Sequence, residues 1–270
     1  MKNIIILTSF EERHSFLKKL ISNSSNINTL RTYCEKNDNT TLSSIIKTEN
    51  KPKSFKSLHL IHRGQTEIDF FQSFNDQIKD YSNSVYIARK QINSENYINE
   101  IIDLNPDLII SFGCSIIKGK LLDLFKGRFI NVHLGLSPYY RGSGTNYWPM
   151  VYGEFEFIGA TFMHIDAGID TGKIIHQIRP KIFWGDSPSQ IGNRLITDVA
   201  YTFIKLINNF ESLLELEQLP DSADYKYYRQ KDYTNSSVDK LYQTFNQNLE
   251  IYLQNEEERL GKIPILENIV

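Results

Sequence analysis

The chain has 270 residues and a formal net charge of −2, and 40% of its residues are hydrophobic and 23% charged. This composition is typical of a soluble globular protein, and the nearly balanced charge offers no general electrostatic basis for binding nucleic acid. The two cysteines, Cys34 and Cys114, form neither a disulfide framework nor a metal-binding pattern, so we expect no metal site.

The first fifty residues predict a strand, a helix and an irregular segment. Residues 3–8 form a short apolar run that suits a strand buried on both faces of a parallel sheet, and residues 12–21 repeat apolar side chains at helical spacing. Residues 22–50 are polar and weakly periodic, so we expect an irregular segment there. The apolar run is too short for a signal peptide, and no stretch approaches the roughly 20 apolar residues of a membrane span. We therefore expect a cytoplasmic protein without a membrane partner.

Strand and helix patterns alternate between residues 65 and 134. Helices are predicted at 65–80, after Asn93 or Ser94, and at 120–125, with strands at 85–88, 107–112 and 128–134. This alternation predicts an α/β fold with a Rossmann-like, mostly parallel twisted sheet flanked by helices. Right-handed crossovers would bring Gly113 and His133 together at the edge where the strands end, which is where such sheets bind ligands.

The remaining sequence predicts two more strands, at 156–165 and 173–182, around the loop DAGIDTG. A long helix is signalled next by Ser187 as its cap, Pro188 at its first position and Gln190 three residues after the cap. We place a catalytic domain at residues 1–212 and a small C-terminal appendage, mixed and partly helical, at residues 213–270. The appendage contains an aromatic and basic run at 225–233 and a predicted helix near 236–254.

Asn131 and His133 end one predicted strand, and their side chains point the same way because side chains alternate along a strand. The Asn131 amide can donate to an oxyanion, and His133 can move a proton near neutral pH. A carboxylate is needed to support the imidazolium, and the later loop offers both Asp170 and Asp166. Such a trio suits the attack of an amine on a carbonyl, although an Asn-x-His strand end is more often structural than catalytic. The nearby His164 could line this later loop, although a structural role is the one expected.

The segments NVH, LSPYYRG and IDAGIDTG resemble those of the folate-dependent formyltransferase family, and the match covers about residues 85–210. The resemblance implies N10-formyltetrahydrofolate as the formyl-donating co-substrate and a primary amine as the acceptor. It implies Asn131, His133 and Asp170 as the catalytic residues, with His133 taking the amine proton. It also implies that the pterin of the folate rests on main chain near Phe112, Gly113, Ser115, Ile117, Ala167 and Gly168.

The family divides by acceptor. Members that formylate glycinamide ribonucleotide carry a Gly-rich phosphate loop after the first strand, whereas this sequence has TSFEERHS there. Members that formylate initiator methionyl-tRNA carry a further C-terminal barrel of about 100 residues, the size of a typical domain, and basic charge for the tRNA. The segment NVHLGLSPYYRGSGTNYWP is most similar to the form found in N-formyltransferases that act on nucleotide-linked amino sugars, and this resemblance implies such an acceptor, in pathways to surface polysaccharides such as lipopolysaccharide O-antigen. The alternatives are a formyltetrahydrofolate hydrolase, a transferase for another small amine, or a non-catalytic folate-binding or nucleotide-binding module.

Aromatic and polar side chains in the loop after His133 suit such an acceptor. Tyr and Trp rings there could stack on a base or sugar. Arg141 could bind a diphosphate or could hold the loop in place. The start of the first helix could bind an anion, or it could be exposed to solvent without a ligand. The predicted acceptor-binding residues are Arg13, His14, Tyr139, Arg141, Gly142, Ser143, Asn146 and Trp148. The run at 225–233 either closes over the nucleotide or forms a homodimer surface.

Overall fold

The computed structural model describes residues 1–36, 54–218 and 225–269. Within these ranges, seven strands form one sheet in the order β3-β2-β1-β4-β5-β7-β8, and β6 and β9 form a second, two-stranded sheet. The strands are β1 (Lys2–Thr8), β2 (Ile27–Lys36), β3 (Ser84–Ala88), β4 (Leu108–Phe112), β5 (Phe129–His133), β6 (Tyr140–Gly142), β7 (Ala160–His164), β8 (Ile174–Ile178) and β9 (Lys226–Tyr228). Neighbours from β3 to β5 pair in parallel, whereas β7 is antiparallel to both β5 and β8. The predicted Rossmann-like, mostly parallel sheet is confirmed.

Helices flank both faces of the sheet, as predicted. The α-helices are Glu12–Ser22, Phe55–Gln77, Glu95–Leu104, Lys120–Leu124, Tyr147–Tyr152, Pro188–Asn208, Asn235–Gln254 and Glu256–Lys262, and short 3-10 turns lie at Gln91–Asn93, Phe155–Phe157, Phe210–Ser212 and Gln230–Asp232. Ser187 and Gln190 form the predicted capping box at the start of Pro188–Asn208. No helix in the described ranges has the length and apolar character needed to cross a bilayer.

Strand β1 shows why the sheet is buried on both faces. Ile4 and Ile6 belong to a core cluster with the helices Glu12–Ser22 and Pro188–Asn208, while Ile5 and Leu7 belong to a cluster on the opposite face. Because strand side chains alternate, an uninterrupted apolar run supplies both clusters at once.

The segment predicted to be irregular, residues 22–50, contains the strand β2 (Ile27–Lys36), so that prediction was wrong for its described part. The strand buries polar side chains among apolar ones, including Thr32 and Glu35, and these hid its pattern. Residues 37–50 lie outside the described part of the chain. The helix predicted to begin at residue 65 begins at Phe55, where Ser54 forms a capping box with Ser57.

The C-terminal residues pack against the rest of the chain. Strand β9 pairs in parallel with β6, and Leu216 forms an antiparallel bridge with Ile174, the first residue of β8. The helix Asn235–Gln254 matches the one predicted at 236–254, and its Phe245 and Leu249 share a third core cluster with Trp148. The domain boundary at residue 212 stays a prediction.

Candidate active site

Asn131 is held in one orientation by the neighbouring strand. Ser111 on β4 lies opposite Asn131 on β5, and its Oγ donates a hydrogen bond of 2.8 Å to Asn131 Oδ1. Because this bond occupies the amide oxygen, Nδ2 is the end of the amide that remains to donate, as the proposed oxyanion contact requires.

Two acceptors surround the ring of His133, of which 7% is exposed. Its Nδ1 lies 3.3 Å from Asp170 Oδ1, and its Nε2 lies 3.1 Å from the main-chain oxygen of Tyr140. A neutral imidazole with its proton on Nδ1 donates to Asp170 and keeps a lone pair on Nε2. A ring that has accepted a proton at Nε2 can donate to both oxygens.

Asp170 reaches His133 from the loop between β7 and β8. Because β7 is antiparallel to β5, His164 lies opposite Ile130, and the loop leaves the sheet near the start of β5. The loop therefore runs back along β5, and this brings Asp170 to His133 at the end of that strand. It adopts a left-handed backbone conformation with a φ of 55°, and its Oδ2 accepts from the Gly142 amide at 3.3 Å. A non-glycine residue in this conformation is uncommon and marks a functional or strained position.

The second carboxylate of this loop, that of Asp166, has a structural role. Asp166 Oδ1 accepts from the Gly168 amide at 2.9 Å and from Thr171 Oγ1 at 2.8 Å. These bonds build the turn, so Asp170 and not Asp166 is the carboxylate that contacts His133.

A cavity lies beside Asn131 and Asp170, lined also by Met163, His164, Ile165, Asp166, Gly168, Thr171 and Gly172. His164 lines this cavity, which matches the less favoured of its two expected roles. Its Nε2 lies 2.9 Å from Glu215 Oε1, and that partner lies far along the chain, which left no local signal in the sequence. Among the described residues, no group of three or more His, Cys, Asp and Glu side chains suits a metal ion.

The residues expected near a pterin fall into two sets. Ala167, Gly168 and Gly113 are exposed. The side chain of Ile117 is buried in the core. The Phe112 carbonyl accepts from Thr8 Oγ1 and the Ser115 amide donates to Glu35, so these two main-chain groups already have partners within the protein. A small polar cavity lies beside them, lined by Ser9, Glu35, Arg89, Gly113, Cys114 and Ser115. Burial, with Glu35 nearby, raises the pKa of the Cys114 thiol to about 12, so this cysteine is protonated at neutral pH.

Arg13 and His14 are not placed to bind an anion, which corrects their assignment to the acceptor. Glu67 already occupies the start of the first helix, where it accepts from the Arg13 amide at 3.2 Å and pairs with its guanidinium at 2.9 Å. Burial and the adjacent Arg13 charge hold the pKa of His14 far below its usual value. Its neutral ring links the helix to the sheet through a 2.8 Å bond to Thr8, which in turn donates to the Phe112 carbonyl.

Trp148 and Asn146 are also structural, contrary to the prediction. Trp148 is only 4% exposed, and its ring stacks on Tyr228 with centroids 4.2 Å apart. The Asn146 amide both donates to and accepts from the main chain of Gly159, at 2.9 Å in each case. Neither side chain remains available for a sugar or base, because each is committed to holding the loop.

Other loop residues are divided between the core and the surface. Tyr139 packs edge to face on Phe157 with centroids 5.1 Å apart, and Ser143 is exposed. Arg141 is buried, and its guanidinium donates to Gln218 at 3.0 Å and lies over the Tyr225 ring. This geometry matches the loop-holding role, and contact of Arg141 with a diphosphate stays a prediction.

We expect Trp148→Ala to lower the free energy of unfolding by about 3–5 kcal/mol, because it empties a packed aromatic site. Trp184 provides the matched control: its side chain is 66% exposed, and Trp184→Ala should change stability by less than about 0.5 kcal/mol. Urea denaturation of both variants measures the difference. Unchanged stability of Trp148→Ala would contradict the structural assignment.

The site as a whole suits transfer of an acyl group to an amine. Asn131 offers an N–H donor, His133 a base, and Asp170 a carboxylate that orients the base and stabilises its charged form. These groups lie beside a cavity, and the loop after β5 covers one side of them.

The chain matches the family model described as formyl transferase over residues 2–206. It is 32% identical over 181 residues to the methionyl-tRNA formyltransferase of Blochmanniella pennsylvanica, an alignment that covers 66% of this chain and 50% of that protein. The chain spans about half the length of the curated relatives it matches.

Two solved structures share the fold. An N-formyltransferase from Helicobacter canadensis, in a complex with folinic acid and dTDP-3-aminofucose, is 20% identical with a TM-score of 0.55, covering 91% of this chain and 81% of that one. Phosphoribosylglycinamide formyltransferase from Streptococcus pneumoniae is 16% identical with a TM-score of 0.52, covering 78% of this chain and 99% of that one.

Proposed function

Because this chain belongs to the formyl transferase family, we propose that it transfers a formyl group from N10-formyltetrahydrofolate to the primary amine of a nucleotide-linked amino sugar. The proposal includes a cytoplasmic location, a role in surface-polysaccharide biosynthesis and a homodimer.

In this reaction the amine nitrogen attacks the formyl carbon, and the bond from that carbon to N10 breaks. Asn131 Nδ2 donates to the formyl oxygen as it gains negative charge. His133 accepts the amine proton at Nε2, and the imidazolium donates to Asp170 and to the Tyr140 carbonyl. The departing N10 nitrogen takes up a proton, so the reaction leaves tetrahydrofolate and the formamide.

The observation that carries the choice of acceptor is an exposed tyrosine, Tyr227, next to Gly142, whose amide donates to the catalytic carboxylate. Gly142, whose amide donates to Asp170, also contacts Tyr227: a methyl group built on Gly142 would lie 3.1 Å from a carbon of the Tyr227 ring. Tyr227 is 44% exposed, and the Arg229 guanidinium lies 5.7 Å from its ring centroid. An accessible ring with a neighbouring guanidinium suits a base or sugar joined to a diphosphate. The dTDP-linked amino sugar in the Helicobacter canadensis complex supports the same choice.

A second candidate acceptor is initiator methionyl-tRNA, which the 32% identity to the Blochmanniella pennsylvanica enzyme favours. A net charge of −2 gives this chain little general attraction for a phosphate backbone.

The test is to incubate the purified protein with N10-formyltetrahydrofolate and each acceptor, and to identify products by mass spectrometry. The panel contains amino sugars linked to dTDP, UDP, GDP and CMP, initiator methionyl-tRNA, and a sample without amine. We expect a formamide product and stoichiometric tetrahydrofolate with at least one nucleotide-linked amino sugar. Product with the tRNA alone would support the second candidate, and equally rapid formate release without amine would indicate a hydrolase.

We expect Tyr227→Ala to raise the acceptor KM about tenfold, because a stacked aromatic ring contributes about 1–3 kcal/mol to holding a base. Tyr86 is a matched control on the distant strand β3, since it is 56% exposed and has the Lys36 ammonium over its ring. Tyr86→Ala should leave the KM unchanged. Steady-state kinetics at saturating formyl donor measures both, and equal KM values for Tyr227→Ala and wild type would refute the assignment of this surface.

A further inference from the structure

We propose that Gln218 is a positioning residue that holds Asp170 against His133, an inference that rests on the proposed formyl transfer. Gln218 lies beyond residues 2–206, the part of the chain that matches the family model. Three of its contacts assign this role.

The amide of Gln218 is fully engaged at the site. Its Nε2 donates to the main-chain oxygens of Asp170 at 2.9 Å and of Gly172 at 2.8 Å. Its Oε1 accepts from the Arg141 guanidinium at 3.0 Å. One side chain therefore joins the loop that carries Asp170 to the loop that follows His133.

The position of Gln218 is itself fixed by the main sheet. Two residues earlier, Leu216 exchanges two main-chain hydrogen bonds with Ile174, of 2.7 and 2.8 Å. Ile174 begins β8, directly after the loop that carries Asp170. Gln218 thus connects strand β8 to the preceding loop, which carries Asp170.

Asp170 needs the hydrogen bonds from Gln218 for two reasons. Its loop leaves the sheet opposite Ile130 and must return by three residues of β5, roughly 10 Å, to reach His133. Its backbone also adopts the left-handed conformation, which is less stable than the right-handed one for any residue other than glycine, although aspartate tolerates it better than most. Without the two bonds from Gln218 Nε2, the backbone can relax and carry the carboxylate away from the imidazole.

The test compares Gln218→Met with Gln218→Glu. Methionine keeps the length of the side chain but removes all three hydrogen bonds. Glutamate keeps an acceptor for Arg141 but directs a carboxylate at two carbonyl oxygens. We expect both variants to lose about 100-fold in kcat with unchanged KM values for both substrates, because a misplaced proton acceptor affects the transition state and not substrate binding. Wild-type kcat in Gln218→Glu would show that the contact with Arg141 is sufficient, and would overturn the proposal.

Asn268→Ala is the control for a general loss of stability. Asn268 ties the same segment to the sheet at its other end, where its side chain bonds both main-chain groups of Leu214, at 2.8 and 2.9 Å, and the Ile175 carbonyl. We expect this variant to lower the unfolding temperature while kcat stays within twofold of wild type. Equal losses of kcat in Asn268→Ala and Gln218→Met would mean that Gln218 only stabilises the segment, and would overturn the proposal.

A measurement without acceptor separates this inference from the choice of acceptor. In the proton NMR spectrum, His133 Nδ1–H bonded to Asp170 should give a low-field resonance, assigned by its absence from His133→Gln. We expect the resonance in wild type and Asn268→Ala, and its loss or upfield movement in Gln218→Met. An unchanged resonance in Gln218→Met, or none in wild type, would contradict the proposal. If the wild type formylates no nucleotide-linked amino sugar, the proposed function fails while this result still decides the role of Gln218.

Discussion

Replacing Asp170 with asparagine is expected to lower kcat by about 10⁴-fold while the fold survives. Asparagine tolerates the left-handed backbone conformation that Asp170 adopts, so the substitution adds no backbone strain. The Gly142 amide donates to Oδ2 of the carboxylate, and in the variant the amide oxygen is expected to take over that contact. The NH₂ group then faces His133 Nδ1, which must offer a lone pair. The proton moves to Nε2, and the ring can no longer accept a proton from the amine there.

Asp166→Asn is the control, since Asp166 lies in the same loop and was the other carboxylate that the sequence offered. Its Oδ1 accepts from Gly168 and Thr171, contacts that an asparagine oxygen can also make. We expect its kcat to stay within a few-fold of wild type. Discontinuous assays of tetrahydrofolate formation measure kcat for both variants. Comparable losses of kcat would contradict the different roles assigned to the two carboxylates.

Replacing His133 with glutamine is expected to lower kcat by about 10³- to 10⁴-fold, because the side chain keeps hydrogen-bonding groups but cannot take a proton from the amine. Binding of the folate should be nearly unchanged. Single-turnover measurement of formamide formation isolates this step from product release.

His176→Gln is the matched control for the loss of a buried histidine. His176 lies on β8, 6% exposed, and its Nδ1 accepts from the Asn268 amide at 2.9 Å. We expect normal kcat with some loss of stability. A comparable fall in kcat in both histidine variants would point to a general defect of the fold.

The sequence predicted most strands and helices of the main sheet because their signals are local. The strand Lys2–Thr8 contains an uninterrupted apolar run at residues 4–7, and the helix Pro188–Asn208 carries its own capping box. The face shared by Asn131 and His133 follows from strand alternation alone. Strand β2 was missed because it buries polar side chains such as Thr32 among its apolar ones, and because the partners of the buried Glu35, the amides of Lys90 and Ser115, are supplied only by the folded chain.

The acceptor-binding prediction failed at Trp148 for a related reason. An aromatic side chain in a Gly-rich and Pro-rich loop fits either a ligand site or a core, and the deciding partner, Tyr228, lies far away in sequence. The roles of Arg13 and His14 likewise depend on distant residues, including Glu67 on another helix. The positions of Gln218 and Tyr227 beside Asp170 also depend on long-range packing, which no local periodicity encodes.

The pairing of β6 with β9 joins the loop after His133 to the C-terminal segment through main-chain bonds. Such bonds make little demand on the identity of outward-facing side chains. Tyr225 and Tyr227 can therefore be exchanged during evolution without disturbing the strand that carries His133, provided that Gly142 is kept, since a side chain there would collide with the Tyr228 carbonyl. The side chains that face outward from this strand can therefore change while the main-chain pairing keeps the loop after His133 in place.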